Sequence, residues 1–147
     1  MRNKEAIMDL IGRVAIVDPY QDAMQLLRPG ECCVIQDIRS ELPCERVYVA
    51  FEDGKVDYFH PTDLLILRPR SDILRSIVTS TANMNKDDYK NLIKVLKLQT
   101  DKKTVLALQL AVSKECYFIH CITSCQDWVA MKETQRLKQF KQSGKRI

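Results

Sequence analysis

Two alternating runs joined by Glu52-Asp53-Gly54-Lys55 constrain this chain more than any other feature. Arg46-Val-Tyr-Val-Ala-Phe51 puts Val47, Val49 and Phe51 on one face, and Val56-Asp-Tyr-Phe-His60 returns beside it. Asp-Gly readily supplies the positive φ of a tight turn, so the segment predicts an antiparallel hairpin. Shorter runs flank it. Arg13-Val-Ala-Ile-Val17 is β-branched and stops at Asp18-Pro19. A polar connection through Tyr20 to Arg28 reaches the turn dipeptide Pro29-Gly30, and Glu31 to Ile38 reads as a second strand. Arg39 to Cys44 reads as its exit loop, Pro61-Thr-Asp-Leu64 as one helical turn, and Leu65-Ile-Leu67 as a last strand.

That order of strands, with Asp53-Gly54 and Pro61-Thr-Asp-Leu64 as its sharpest pieces, resembles the small five-stranded barrel of Src-homology, Tudor and KOW-type modules over residues 12–68. The resemblance is one of architecture. It implies binding of peptides, modified tails or nucleic acid, and a shared fold is weak warrant for any one of them.

After residue 70 the apolar period changes from two to the three-or-four spacing of helices. Ser71 is placed to cap a helix over Asp72 to Val78, and Thr79 to Asn85 reads as a polar loop. Asn85 is placed to cap Lys86 to Lys97, with Tyr89, Leu92, Ile93 and Leu96 on one face. From Lys102, Val105, Leu108, Val112, Cys116, Ile119 and Ile122 keep that spacing. Tyr117 to Thr123 are weak helix formers and leave room for a break or short strand. Ser124 with Asp127 resembles a capping box that starts a fresh helix. The expected fold class is therefore α+β: a Src-homology-like five-stranded barrel in residues 1–69, with a short N-terminal lead, then three or four helices in 70–147.

The charge is uneven. The 147-residue chain carries a net +4, but residues 1–70 hold 9 Lys/Arg against 12 Asp/Glu, a net −3, and residues 71–147 hold 14 against 7, a net +7. An uninterrupted apolar signal stretch is not present at Met1 to Leu10, and charges interrupt Val105 to Ile122. We therefore expect no membrane span and a soluble, cytoplasmic protein. Six cysteines in that setting read as reduced thiols.

Candidate sites are few. Cys116, His120, Cys121 and Cys125 are the one local cluster of soft ligands. A tetrahedral site fits poorly on a single helix, so the thiols read as core and no metal or other cofactor is expected. Cys32 and Cys33, adjacent on a strand, point to opposite faces. No nucleophile elbow, phosphate-binding glycine loop or dinucleotide fingerprint appears, so no enzyme is expected. Tyr20, Tyr48, Tyr58 and Phe59 are the ligand-groove candidates, because modules of this architecture place rings there; packing of Tyr58 and Phe59 against the helices competes with that role. Arg136, Lys138, Lys141, Lys145 and Arg146 are the phosphate-contact candidates, though a basic last turn also complements a helix dipole. The leading expectation is a non-catalytic protein-binding adaptor, with self-association through apolar helix faces. The alternative is a nucleic-acid accessory protein that uses the basic C-terminal half.

Overall fold

The computed structural model describes residues 4–20, 28–41 and 44–144. Six strands, β1 (Val14–Val17), β2 (Cys32–Glu41), β3 (Cys44–Phe51), β4 (Val56–Phe59), β5 (Leu64–Leu67) and β6 (Ile122–Ser124), form one antiparallel sheet in the order β4-β3-β2-β1-β5-β6. The hairpin at Asp53-Gly54 forms where expected. Its loop is Glu52 to Gly54, closed by Phe51 N–H on Lys55 O at 2.9 Å, and Gly54 takes the positive φ of +84°. That register sets Tyr48 opposite Tyr58 and Val47 opposite Phe59.

Helices cover the sheet unequally. On one face α1 (Lys4–Leu10) and the long α6 (Cys125–Gly144) meet Ala15, Val17, Cys33, Ile35, Val47, Val49, Phe51, Phe59, Leu64 and Ile66, with Leu10, Cys125, Trp128 and Val129 completing that core. On the other face α2 (Arg70–Ser80), α3 (Lys86–Thr100), α4 (Thr104–Val112) and α5 (Glu115–Cys121) pack on Ile16, Leu65, Leu67 and Ile122. β5 is buried at all four positions, so the run Leu-Leu-Ile-Leu serves both cores at once. Alternation along β1 does the same with smaller residues.

The α+β class stands, but the closed five-stranded barrel does not form: the sheet is open. Closure would need β5 to reach β4, and β6 from the helical half occupies that side of β5, pairing Leu65 with Ser124 and Leu67 with Ile122. Of the segment expected as an exit loop, Arg39 to Glu41 and Cys44 are strand instead, so β2 and β3 pair as a ribbon from Ile38/Val47 to Glu41/Cys44. Nor do the helices form a bundle set after a barrel; they line both faces of the sheet, and the expected short lead contains α1.

Local signals explain two helix starts. Asn85 caps α3, its Oδ1 accepting from the Asp88 N–H at 2.8 Å, and Ser124 Oγ accepts from the Asp127 N–H at 3.0 Å at the start of α6. Ser71 does not cap α2. That helix begins two residues earlier, at Arg70 behind Pro69, without a side-chain cap, and continues through Thr79 and Ser80 into a 3₁₀ turn at Thr81–Asn83. Ile122 and Thr123, the last of the weak helix formers, join Ser124 in β6.

A polar knot ties α5 to α3. Lys114 Nζ donates to Asp88 Oδ1 at 2.8 Å, the Tyr117 hydroxyl donates to the same oxygen at 2.9 Å, and Asn91 Nδ2 donates to the Tyr117 hydroxyl at 2.8 Å. Lys114 and then Tyr117 hold the Asp88 carboxyl below the usual carboxylate range. A depressed folded pKa stabilises above the unfolded value of about 4 and is lost as the pH falls through the folded value. We expect Asp88→Asn to lower the urea midpoint at neutral pH and to match the parent protein once the carboxyl is protonated. Equal midpoints at neutral pH would show that the knot contributes nothing.

Candidate functional site

The four helices α2 to α5 sit over β1, β5, β6 and the Cys32 end of β2, and among the described residues no helix covers the rest of that face of β2, β3 and β4. Alternation turns Val34, Ala50, Val56, Tyr48 and Tyr58 to that side, while Ile35, Val47, Val49 and Phe59 turn inward. Val34 is 41% exposed, Tyr58 49% and Val56 60%. Strict alternation along β2 would also carry Asp37 inward with Cys33 and Ile35. An irregularity between Ile35 and Asp37 prevents this, because Gln36 has no cross-strand partner and the phase shifts by one. Ile38 then packs on the core, and Asp37 and Arg39 face outward beside Tyr48 and Arg46.

The outward residues make a ladder. The Arg39 guanidinium lies 4.8 Å from the Tyr48 ring centroid, Tyr48 and Tyr58 lie 5.8 Å apart, and the Arg46 guanidinium lies 4.6 Å from the Tyr58 ring. Each contact of this kind contributes about 0.5–1 kcal/mol at an exposed site. Arg39 Nε also donates to Asp37 Oδ2 at 3.0 Å, and this bond, with that from the Ile38 N–H, keeps the Asp37 carboxyl low. The stacked guanidiniums are thus held in place rather than swinging freely.

The ring candidates separate. Tyr48 and Tyr58 meet on the outer face; Phe59 is buried on the opposite face against Phe51 at 6.1 Å. Tyr20 lies edge-on to Phe118 at 5.4 Å and donates its hydroxyl to Val112 O, which places it among the helices. Arg39, Arg46, Val34 and Val56 belong to the outer face and carried no site signal in the sequence reading. The Asp53-Gly54 register would have paired Tyr48 with Tyr58, but the bulge and the ribbon that bring in Arg39 have no comparable local mark.

The other clusters are structural in arrangement. Cys121 lies in the core over α2 to α5 and Cys125 in the core under α6, so the sheet stands between them. Burial pushes both thiols up to about 12, as it does Cys33, which keeps them protonated at neutral pH. Cys116 is half-buried. His120 Nδ1 and Ser76 Oγ are 2.6 Å apart, joining α5 to α2, and burial with the nearby Arg68 lowers the imidazole pKa. Among the described residues no three His, Cys, Asp or Glu side chains converge as a metal site would require. Of the basic candidates, Lys138 is exposed on α6, Arg136 and Lys141 lie on the same helix, and Lys145 and Arg146 lie outside the described residues. Among the described residues no helix is long and apolar enough to cross a membrane.

Protein-family models, curated proteins and solved structures were compared with the chain. None matches. The functional reading therefore comes from the geometry of this chain alone.

Proposed function

We propose that this chain is a non-catalytic protein-binding adaptor whose docking surface is the outer face of β2, β3 and β4. One observation carries the reading: among the described residues, no helix covers the half of one sheet face that bears Val34, Tyr48, Ala50, Val56 and Tyr58, and arginines stack on its rings. Tyrosine and arginine on an apolar ground are the residue types that dominate protein interfaces. Rigid rings lose little conformational entropy on contact, and stacked arginines are already oriented.

The test is affinity capture with the tagged full-length chain from cells of its own source, compared with the Tyr48→Ser/Tyr58→Ser double variant. The variant loses two cation–π contacts and one ring pair, about 1.5–3 kcal/mol in all, which a domain with the usual 5–15 kcal/mol of stability tolerates, so it should stay folded. We expect a nuclease-resistant set of bound proteins that the double variant loses. Material released by nuclease and retained by the double variant would instead favour the nucleic-acid reading through the basic part of α6. Identical protein capture by both forms would reject the face.

A further inference from the structure

A cavity of about 260 Å³ lies across the sheet from β4, where β5 leads into α2 and β6 leads into α6. Arg68, Pro69, Asp72, Thr123, Asp127 and Met131 line it. Arg68 is fixed from three directions. Its backbone N–H donates to Cys121 O at 2.8 Å, its carbonyl accepts from Gln99 Nε2 at 3.0 Å, and its Nε donates to Ile122 O at 3.0 Å. The side chain is thereby held by Nε alone, and its two terminal nitrogens have no hydrogen-bond or salt-bridge partner among the described residues. The Asp72 and Asp127 carboxylates have none there either. A guanidinium and two carboxylates thus share one small cavity without pairing. Places in the first turns of α2 and α6 account for the two acids. They do not account for an arginine anchored at the same opening.

The mixture of signs narrows the ligand. A bare anion would meet Asp72 and Asp127, and a bare cation or metal ion would meet Arg68. The wall carries one positive and two negative charges, a net −1, so its complement carries both signs with positive charge in excess. Pro69 and Met131 add apolar surface for methylene groups. Sites for drug-sized ligands measure about 300–1,000 Å³, so this smaller one suits a molecule the size of a single amino acid.

We propose that this cavity binds a free basic amino acid, with its carboxylate on the Arg68 fork, its cationic groups at Asp72 and Asp127, and its methylenes against Pro69 and Met131. Arginine takes a carboxylate bidentately, and a guanidinium already held at its backbone and Nε loses little freedom in doing so. The cavity is separate from the outer face of β2, β3 and β4, so either site can fail without the other.

The test is a titration of the full-length chain with L-lysine, followed in the proton–nitrogen spectrum. Saturable shifts centred on Arg68, Thr123 and Asp127 are expected, with a dissociation constant of about 1 mM or below. Cadaverine, the same diamine without the carboxylate, and L-glutamate, which reverses the side-chain charge, should each bind roughly tenfold more weakly or worse. Asp72→Asn and Asp127→Asn should each weaken lysine by a similar factor, and Arg68→Met should remove the preference for lysine over cadaverine. Should Arg68→Met unfold, the two asparagine variants, which keep side-chain volume, carry the readout. Absence of saturable shifts, equal binding of glutamate or cadaverine, or lysine binding unchanged in both asparagine variants would overturn the proposal.

Discussion

Replacing Trp128 by alanine should destabilise the protein by about 3–5 kcal/mol, a large part of the 5–15 kcal/mol typical of a domain. Trp128 is 2% exposed and sits between α6 and the sheet, within the core that includes Val17, Val49 and Ile66. Its removal opens a cavity that strands and a long helix cannot easily close. The ring also receives the Arg13 guanidinium at 4.3 Å and the Lys132 ammonium at 4.6 Å from its centroid, contacts that alanine abolishes. Phenylalanine separates these effects. Trp128 Nε1 is buried without a hydrogen-bond partner among the described residues, so losing that N–H removes no bond. Trp128→Phe should therefore cost far less than Trp128→Ala and keep the cooperative transition. Urea unfolding followed by far-ultraviolet circular dichroism checks both. An alanine variant within about 1 kcal/mol of the parent would show that α6 does not depend on this anchor.

How much of this was legible varies with the range of the interactions responsible. The hairpin at Asp53-Gly54, the Asn85 cap and the Ser124–Asp127 start of α6 are local chemistry, and each appears where its residues indicate. The continuation of β2 and β3 past Ile38 was not legible. Arg39, Ser40 and Glu41 look like loop residues, and they extend because their partners across the ribbon do. The open sheet has the same kind of cause. Ile122–Ser124 lies more than fifty residues from β5 in sequence, yet by pairing with it β6 prevents the closure that the strand order alone suggested. At the site, Tyr48 and Tyr58 follow from hairpin register, whereas Arg39 reaches them only because Gln36 shifts the phase of β2. Period-two counting is blind to such a bulge. α1 was missed because seven residues of mixed composition carry too little periodicity, and its place follows from Leu10 docking in the core under α6.

The strand-rich segment 1–69 should not fold by itself, although the change of pattern at residue 70 marks it as a separate unit in the sequence. The reason lies in β5. Leu64, Leu65, Ile66 and Leu67 are 0%, 3%, 1% and 6% exposed, so apolar side chains point to both faces and need a layer on each. One layer contains Cys125, Trp128 and Val129, and the other contains Ile73, Ile77, Leu108 and Tyr117, all absent from the segment. β5 would also lose β6 and become a free, wholly apolar edge, a form that invites association. Burying a side chain of this size contributes about 1.5–3 kcal/mol, and several would be exposed together against a few kcal/mol of net stability. The expected result is a fragment with collapsed amide dispersion in its proton–nitrogen spectrum, no cooperative urea transition and a tendency to aggregate. A sharp transition with dispersed resonances would mean that the segment closes on itself once β6 is gone, with β5 then free to find another strand.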